Sequence, residues 1–178
     1  AEYHEQVKKV VVLFGGSDPS DFTCRAYNLA KKMHADFPQI SFQFVLGAGY
    51  DNHIHKLAND EACKIKVVTD IKRVSDALSD ADLAITSQGR TVYELAAMGV
   101  PAIVLAQNER ETKHTFAQMY NGFLNLGMGN QVSDETLEKT FRFVVETPQI
   151  RAEMRNLMLS HDLRKGIERV KQLILQDE

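Results

Sequence analysis

Three short segments of this 178-residue chain carry residue types that could bind or transform a ligand. The first is Gly15-Gly16-Ser17-Asp18-Pro19. Two glycines let the backbone approach a ligand closely, and a helix opening after them would offer N–H groups and a positive dipole end to a phosphate. Taken alone, the same residues read equally well as a tight turn followed by a helix cap. The second is Ser87-Gln88-Gly89-Arg90-Thr91, with Glu94 one turn on. Backbone donors and hydroxyls would converge there. Thr91 and Glu94 are three positions apart and share one side of a first helical turn, where a carboxylate could accept two hydrogen bonds from a ribose diol. In isolation a plain capping arrangement accounts for them slightly better. The third is Ala106-Gln107-Asn108-Glu109, whose amide and carboxylate groups could read sugar hydroxyls. Alone, it reads better as a surface loop.

The elements that would position these segments follow from apolar patterning. Lys9 to Phe14 (KVVVLF) is rich in β-branched residues and stops at Gly15-Gly16, which predicts a buried strand and a tight turn. Ser17, Asp18 and Pro19 supply helix-start chemistry, and Ala26, Leu29, Ala30 and Met33 keep helical spacing to about Phe37, before Pro38. Further strands are expected at Ser41 to Leu46, Lys64 to Thr69, Asp82 to Thr86 and Pro101 to Leu105, with a short sixth at Asn130 to Val132. Between them, Val74, Ala77 and Leu78 mark a short helix. Val92, Leu95, Ala96 and Met98 mark another that ends at Gly99. Thr112 to Leu124 reads as a helix, and further helices run from Ser133 toward Glu146, from Pro148 to about Leu159, and from Arg164 to Leu175. Strands that are continuous apolar runs, alternating with helices, predict a Rossmann-like, doubly wound, mainly parallel six-stranded α/β sheet covered on both faces. Ligands of such sheets bind outside the carboxyl ends of the strands, where strand order reverses. The three segments follow three different strands there, so together they predict a single crevice.

Composition narrows the ligand. The apolar fraction is 44%, the charged fraction 25% and the net charge −3, the figures of an ordinary water-soluble domain with no basic surface for nucleic acid or anionic membrane. A phosphate would have to be held by local donors. Cys24 and Cys63 have no metal or redox spacing and read as reduced thiols, the first residues lack a signal-peptide core, and no apolar run is long enough to span a membrane, so a cytoplasmic location is expected. His53 and His55 form an H-x-H without further paired ligands and predict no metal site. His34, His114 and His161 fall in helical stretches and read as surface residues. The chain opens almost directly into a strand, which suggests one domain, residues 1–178, with a partner domain upstream.

The segments FGGSDPSDFT, DLAITSQGRTVYELAAMGVPAIVLAQNERE and DLRKGIERVKQLI resemble the C-terminal domain of the UDP-sugar hydrolases of pseudaminic-acid synthesis and the related spore-coat polysaccharide proteins. More distantly, they resemble the peptidoglycan N-acetylglucosaminyltransferase that makes lipid II. The resemblance covers nearly the whole chain. It implies the C-terminal half of a GT-B fold, a UDP-sugar ligand, no cofactor and no metal. The turns at Gly15-Gly16-Ser17 and Ser87 to Thr91 would then surround the diphosphate, Glu94 the ribose hydroxyls, backbone near Ile71 the uracil edge, and Asn108 with Glu109 the sugar. The hydrolase family's catalytic groups lie in an N-terminal domain absent here, so no catalytic residue is expected in this chain. Two departures stand out. The family has Asn-Gln where this chain has Asn108-Glu109, and small residues where it has Gln88 and Arg90. Glutamate cannot donate as an amide does. Arg90 could pair with phosphate or point to solvent.

Three other readings compete. Gly47-Ala48-Gly49 begins a dinucleotide fingerprint, but position 52 is Asn and the motif follows the second strand. Gly15 to Pro19 partly matches a serine-hydrolase elbow, but its fifth residue is proline. The resemblance also allows a non-catalytic binding or regulatory module joined to another sugar enzyme, such as a sugar-acid cytidylyltransferase.

Overall fold

The computed structural model describes residues 2–51, 57–69 and 71–176; His53 and His55 lie outside them. Six strands, β1 (Lys9–Leu13), β2 (Ser41–Leu46), β3 (Ile65–Thr69), β4 (Leu83–Thr86), β5 (Ala102–Ala106) and β6 (Phe123–Met128), form one sheet in the order β3-β2-β1-β4-β5-β6. Every pairing of these strands is parallel, with Val12 opposite Phe44 on one side and Ile85 on the other. The order reverses between β1 and β4. The helices are α1 (Phe22–Met33), α2 (Val74–Leu78), α3 (Thr91–Met98), α4 (Glu109–Thr112), α5 (Asp134–Glu146), α6 (Pro148–Ser160) and α7 (Gly166–Gln176).

Residue alternation along β1 assigns the two layers, because successive strand side chains point to opposite faces. Val10, Val12 and Phe14 join Ala26, Ala30 and Met33 of α1 and Leu137, Phe141 and Val144 of α5 in one core. Val11 and Leu13 join Ala77 and Leu78 of α2, Val92 and Leu95 of α3 and Met158 of α6 in the other. The central strands β1, β4 and β5 are therefore dry on both faces, which is why they read as unbroken apolar runs.

The structure corrects the expected order of elements in four places. The sixth strand is Phe123–Met128, and the residues expected to form it sit instead in and beside a 3-10 turn at Gly129–Gln131. The helix expected from Thr112 to Leu124 is absent: α4 ends at Thr112, a 3-10 turn covers Met119–Asn121, and Gly122 takes φ 90° before the strand begins. Phe116, Ala117 and Tyr120 mimic helical spacing. Phe116 is in fact held by ring contacts with Tyr93 and Phe123, and Ala117 is buried in a loop. The first helix begins at Phe22, not at the Ser17–Pro19 segment, and ends at Met33, four residues short of Phe37. His114 lies in the loop after α4 and not in a helix.

One buried charge holds the far end of the sheet. Pro148 interrupts the helical run because it lacks an N–H, leaving the last carbonyls of α5 without intrahelical partners. Arg151, 1% exposed, turns back from the first turn of α6 and donates to the carbonyls of Val144 and Val145 at 2.6 and 2.7 Å, and to that of Glu5 ahead of β1.

Candidate functional site

The carboxyl ends of β1, β4 and β5 open onto one crevice of about 230 Å³ at the point where strand order reverses. Its walls are Phe14 to Pro19 after β1, Ser87, Gly89, Arg90 and Thr91 after β4, and Gln107, Asn108 and Glu111 after β5. The structure thus brings Gly15, Gly16, Ser17, Asp18, Ser87, Gly89, Arg90, Thr91 and Asn108 together. Gln88, Glu94, Glu109 and Ile71 stand outside the lining. Glu94 is exposed in the first turn of α3. Glu109 is exposed on the first residue of α4. Ile71 packs against the core that contains Val92 and Leu95, so it sits on the same face of the sheet as α3.

Each wall has a local cause. Gly15 takes φ 78°, a left-handed turn that glycine adopts without strain. The loop after β2 then packs directly on it. A Cβ at Gly47 would lie 2.2 and 2.3 Å from the carbonyl oxygens of Gly15 and Gly16, and the Gly49 amide donates to the Gly16 carbonyl at 2.9 Å. The Gly47-Ala48-Gly49 motif therefore serves backbone contact between two loops. A second hollow of about 210 Å³ shares the Ser17–Pro19 wall and is bounded by Asp21, Gly49, Tyr50 and Asp51. The Tyr50 hydroxyl donates to Asp21 there at 2.7 Å.

Three helices open onto the crevice, and their N-termini differ. Asp18 is buried, and its two carboxylate oxygens accept from the Phe22 and Thr23 amides at 3.1 and 2.7 Å. The α1 N-terminus, expected to face a phosphate, is thus already occupied by a carboxylate. Burial pushes the Asp18 carboxyl above its ordinary pKa range, against the lowering effect of the bonds from Thr23 and Phe22. Asn108 caps α4: its side chain accepts from the Glu111 amide at 3.0 Å, and Glu111 reaches back to accept from the Gln107 amide at 2.8 Å. This is close to a capping box, and the N-x-x-E spacing of Asn108 and Glu111 was its signal in the sequence. By contrast, the N-cap residue of α3, Arg90, makes no side-chain capping bond, and no other side chain among the described residues caps it. The Tyr93 amide donates to the Arg90 carbonyl at 3.1 Å, while the Thr91 and Val92 amides ahead of it have no intrahelical acceptor, and they stand beside Ser87 and the exposed Arg90.

Glu111 is the wall residue that the sequence did not single out, and Gln107 has a role that the sequence did not show. Its amide nitrogen donates to the Phe14 carbonyl at 2.7 Å, its amide oxygen accepts from the Ser20 amide at 3.4 Å, and its own carbonyl accepts from the Ser20 hydroxyl at 3.2 Å. It therefore ties the end of β5 to the end of β1 across the intervening β4. Gln88 also departs from expectation. It is 1% exposed, and its amide donates to the His114 carbonyl at 2.6 Å, so its side chain is turned into the protein. Among the described residues no group of three or more His, Cys, Asp or Glu is placed to hold a metal ion, and no helix is long and apolar enough to cross a membrane.

A parallel sheet in this order, with its crevice at the reversal of strand order, defines a Rossmann-like domain with an anion-competent helix terminus in that crevice. Residues 10–169 match the glycosyltransferase family 28 C-terminal domain, and the chain belongs to that family. It is 30% identical over 133 residues to the spore coat polysaccharide biosynthesis protein SpsG of Bacillus subtilis, covering 73% of this chain and 39% of that protein. The fold superposes on that of MurG from Acinetobacter baumannii with a TM-score of 0.68 at 16% identity, covering 95% of this chain and 51% of that one. It also superposes on the spinosyn rhamnosyltransferase SpnG complexed with thymidine diphosphate, with a TM-score of 0.63 at 13% identity, covering 94% of this chain and 46% of that one. The chain thus spans half or less of the length of SpsG and SpnG, and about half that of MurG.

Proposed function

We propose that the crevice holds the diphosphate of a UDP-sugar. The domain would then be the donor-binding half of a GT-B-type sugar-nucleotide hydrolase or glycosyltransferase in surface polysaccharide or nonulosonic-acid biosynthesis. The observation that carries this reading is the uncapped N-terminus of α3, set in the crevice between a glycine turn and a capped α4. Backbone amides there, with the Ser87 and Thr91 hydroxyls and the Arg90 guanidinium, form a donor set suited to phosphate oxygens. They supply the local charge that a chain of net −3 lacks overall. Glu94 lies one turn along the same helix, in reach of a ribose diol. Backbone at Ile71, on the same side of the sheet, is assigned to the uracil edge. Asn108 and Glu109, now with Glu111, are assigned to the sugar. A nucleoside diphosphate bound to SpnG is consistent with this reading.

On this reading the domain alone is catalytically silent. Holding the nucleotide equally in ground and transition states does not accelerate the chemical step, and attack at the anomeric carbon needs a positioned base. The Asp18 carboxylate is committed to α1, that of Glu111 accepts the Gln107 amide, and Glu109 stands outside the crevice lining. Incubation with UDP-N-acetylated sugars should release no UDP above background. Turnover at ordinary enzymatic rates, abolished by changing Asp18 or Glu109, would show that the base is here and that this division of labour is wrong.

A further inference from the structure

We propose that Gln88 and His114 form a reciprocal clamp that positions the β4–α3 turn for its ligand, with His114 acting as a positioning residue for the crevice. The affinity arm of the proposal rests on the nucleotide reading above; the clamp itself does not.

The pair is built from two opposed hydrogen bonds. The Gln88 side-chain amide donates to the His114 carbonyl at 2.6 Å, and His114 Nδ1 lies 2.9 Å from the Gln88 carbonyl. A carbonyl only accepts, so Nδ1 carries the proton in this contact. Gln88 is 1% exposed. An amide buried to that degree is costly without partners, so its conformation is tied to that of the His114 segment. Gln88 lies between Ser87 and Gly89, both of which line the crevice. Upstream, Thr86 is locked in the sheet opposite Leu13 and Val104. Downstream, α3 begins without a side-chain cap. The turn between them is therefore tethered sideways, through Gln88.

The other end of the clamp is anchored as well. The His114 amide donates to the Glu111 carbonyl at 2.9 Å, which fixes His114 to the end of α4. That helix carries Glu111 in the crevice lining. The clamp thus sets the spacing between two walls of the crevice, the β4–α3 turn and α4. Gln107 does the same between the β5 and β1 ends. A turn that presents backbone donors to an anion gains affinity from being held in the binding geometry beforehand.

The test exploits the position of the Nδ1 donor. Asparagine at 114 places an N–H donor near the position of Nδ1, whereas glutamine places it near Nε2. The proteins are wild type, His114→Ala, His114→Asn and His114→Gln. UDP affinity is measured by calorimetry, and hydrogen exchange of the segment from Ser87 to Leu95 is measured without ligand. His114→Ala and His114→Gln should each weaken UDP binding about tenfold and speed exchange in that segment. His114→Asn should keep affinity within about twofold and retain wild-type exchange. Equal behaviour of the Asn and Gln variants, or unchanged exchange in His114→Ala, would overturn the clamp. Absence of UDP binding by wild type would overturn the nucleotide reading instead, while the exchange series would still decide the clamp.

Discussion

Replacing Arg151 with alanine is expected to destabilise the domain by about 3–5 kcal/mol, because a large side chain leaves a cavity and several carbonyls lose their only charged donor at once. Three elements meet at this guanidinium: the end of α5, the start of α6 and the segment leading into β1. The proline at position 148 makes the arrangement necessary. A continuous helix would cover the Val144 and Val145 carbonyls by itself, and the break forces a side chain to do so. Arg151→Met separates the two contributions, since it fills much of the volume while leaving the carbonyls bare. It should fall between wild type and Arg151→Ala. For a domain of this size the alanine variant should lower the melting temperature by about 10 °C. A shift of less than about 3 °C would show that water replaces the guanidinium without loss.

Glu94→Ala is expected to weaken UDP binding about tenfold to a hundredfold while leaving the melting temperature near that of wild type. The fold has no evident need for this carboxylate. Glu94 is exposed, and it lies in the first turn of a helix whose buried side is Val92, Leu95 and Ala96. A negative charge there favours the helix dipole slightly, which accounts for a small stability effect but not for one on affinity. A ribose diol bound by two charge-assisted hydrogen bonds accounts for the affinity. Equal UDP affinity for wild type and variant would remove Glu94 from the site.

The fold was largely legible in the sequence, and the reasons are physical. β1, β4 and β5 are short apolar runs buried on both faces, which leaves no competing pattern, and β2 and β3 are runs rich in aromatic or β-branched residues that end at Gly47 and Thr69. The sixth was missed because Phe123–Met128 contains Asn125 and Gly127 and is mostly half-buried. Its leucines fall instead at helical distance from Phe116 and Tyr120. Only pairing with β5 makes it a strand, and that pairing joins residues about twenty positions apart. The crevice was legible as a meeting of three turns, because the topology alone places the ends of β1, β4 and β5 side by side. What each polar group does within it was not. Asp18 and Asn108, read from the sequence as ligand contacts, line the crevice and also cap α1 and α4. Gln88 was expected in the turn around the diphosphate, and its side chain is a buried tie to the His114 carbonyl. Gln107 stood in a segment already singled out, but its role depends on the Phe14 carbonyl, 93 residues away. Such partners are fixed by tertiary geometry, and local spacing cannot reveal them.

The uncapped α3 terminus and its neighbouring turns are proposed to form a UDP site. Calorimetric titration of this domain with UDP, CMP and NADH in the same buffer tests it most directly. Saturable binding of UDP is expected, tighter than that of either competitor, since the crevice offers phosphate donors, with Glu94 one turn along α3 as the proposed diol acceptor, but no glycine fingerprint for a dinucleotide. NADH or CMP binding as tightly as UDP, or no saturable heat with UDP, would contradict it.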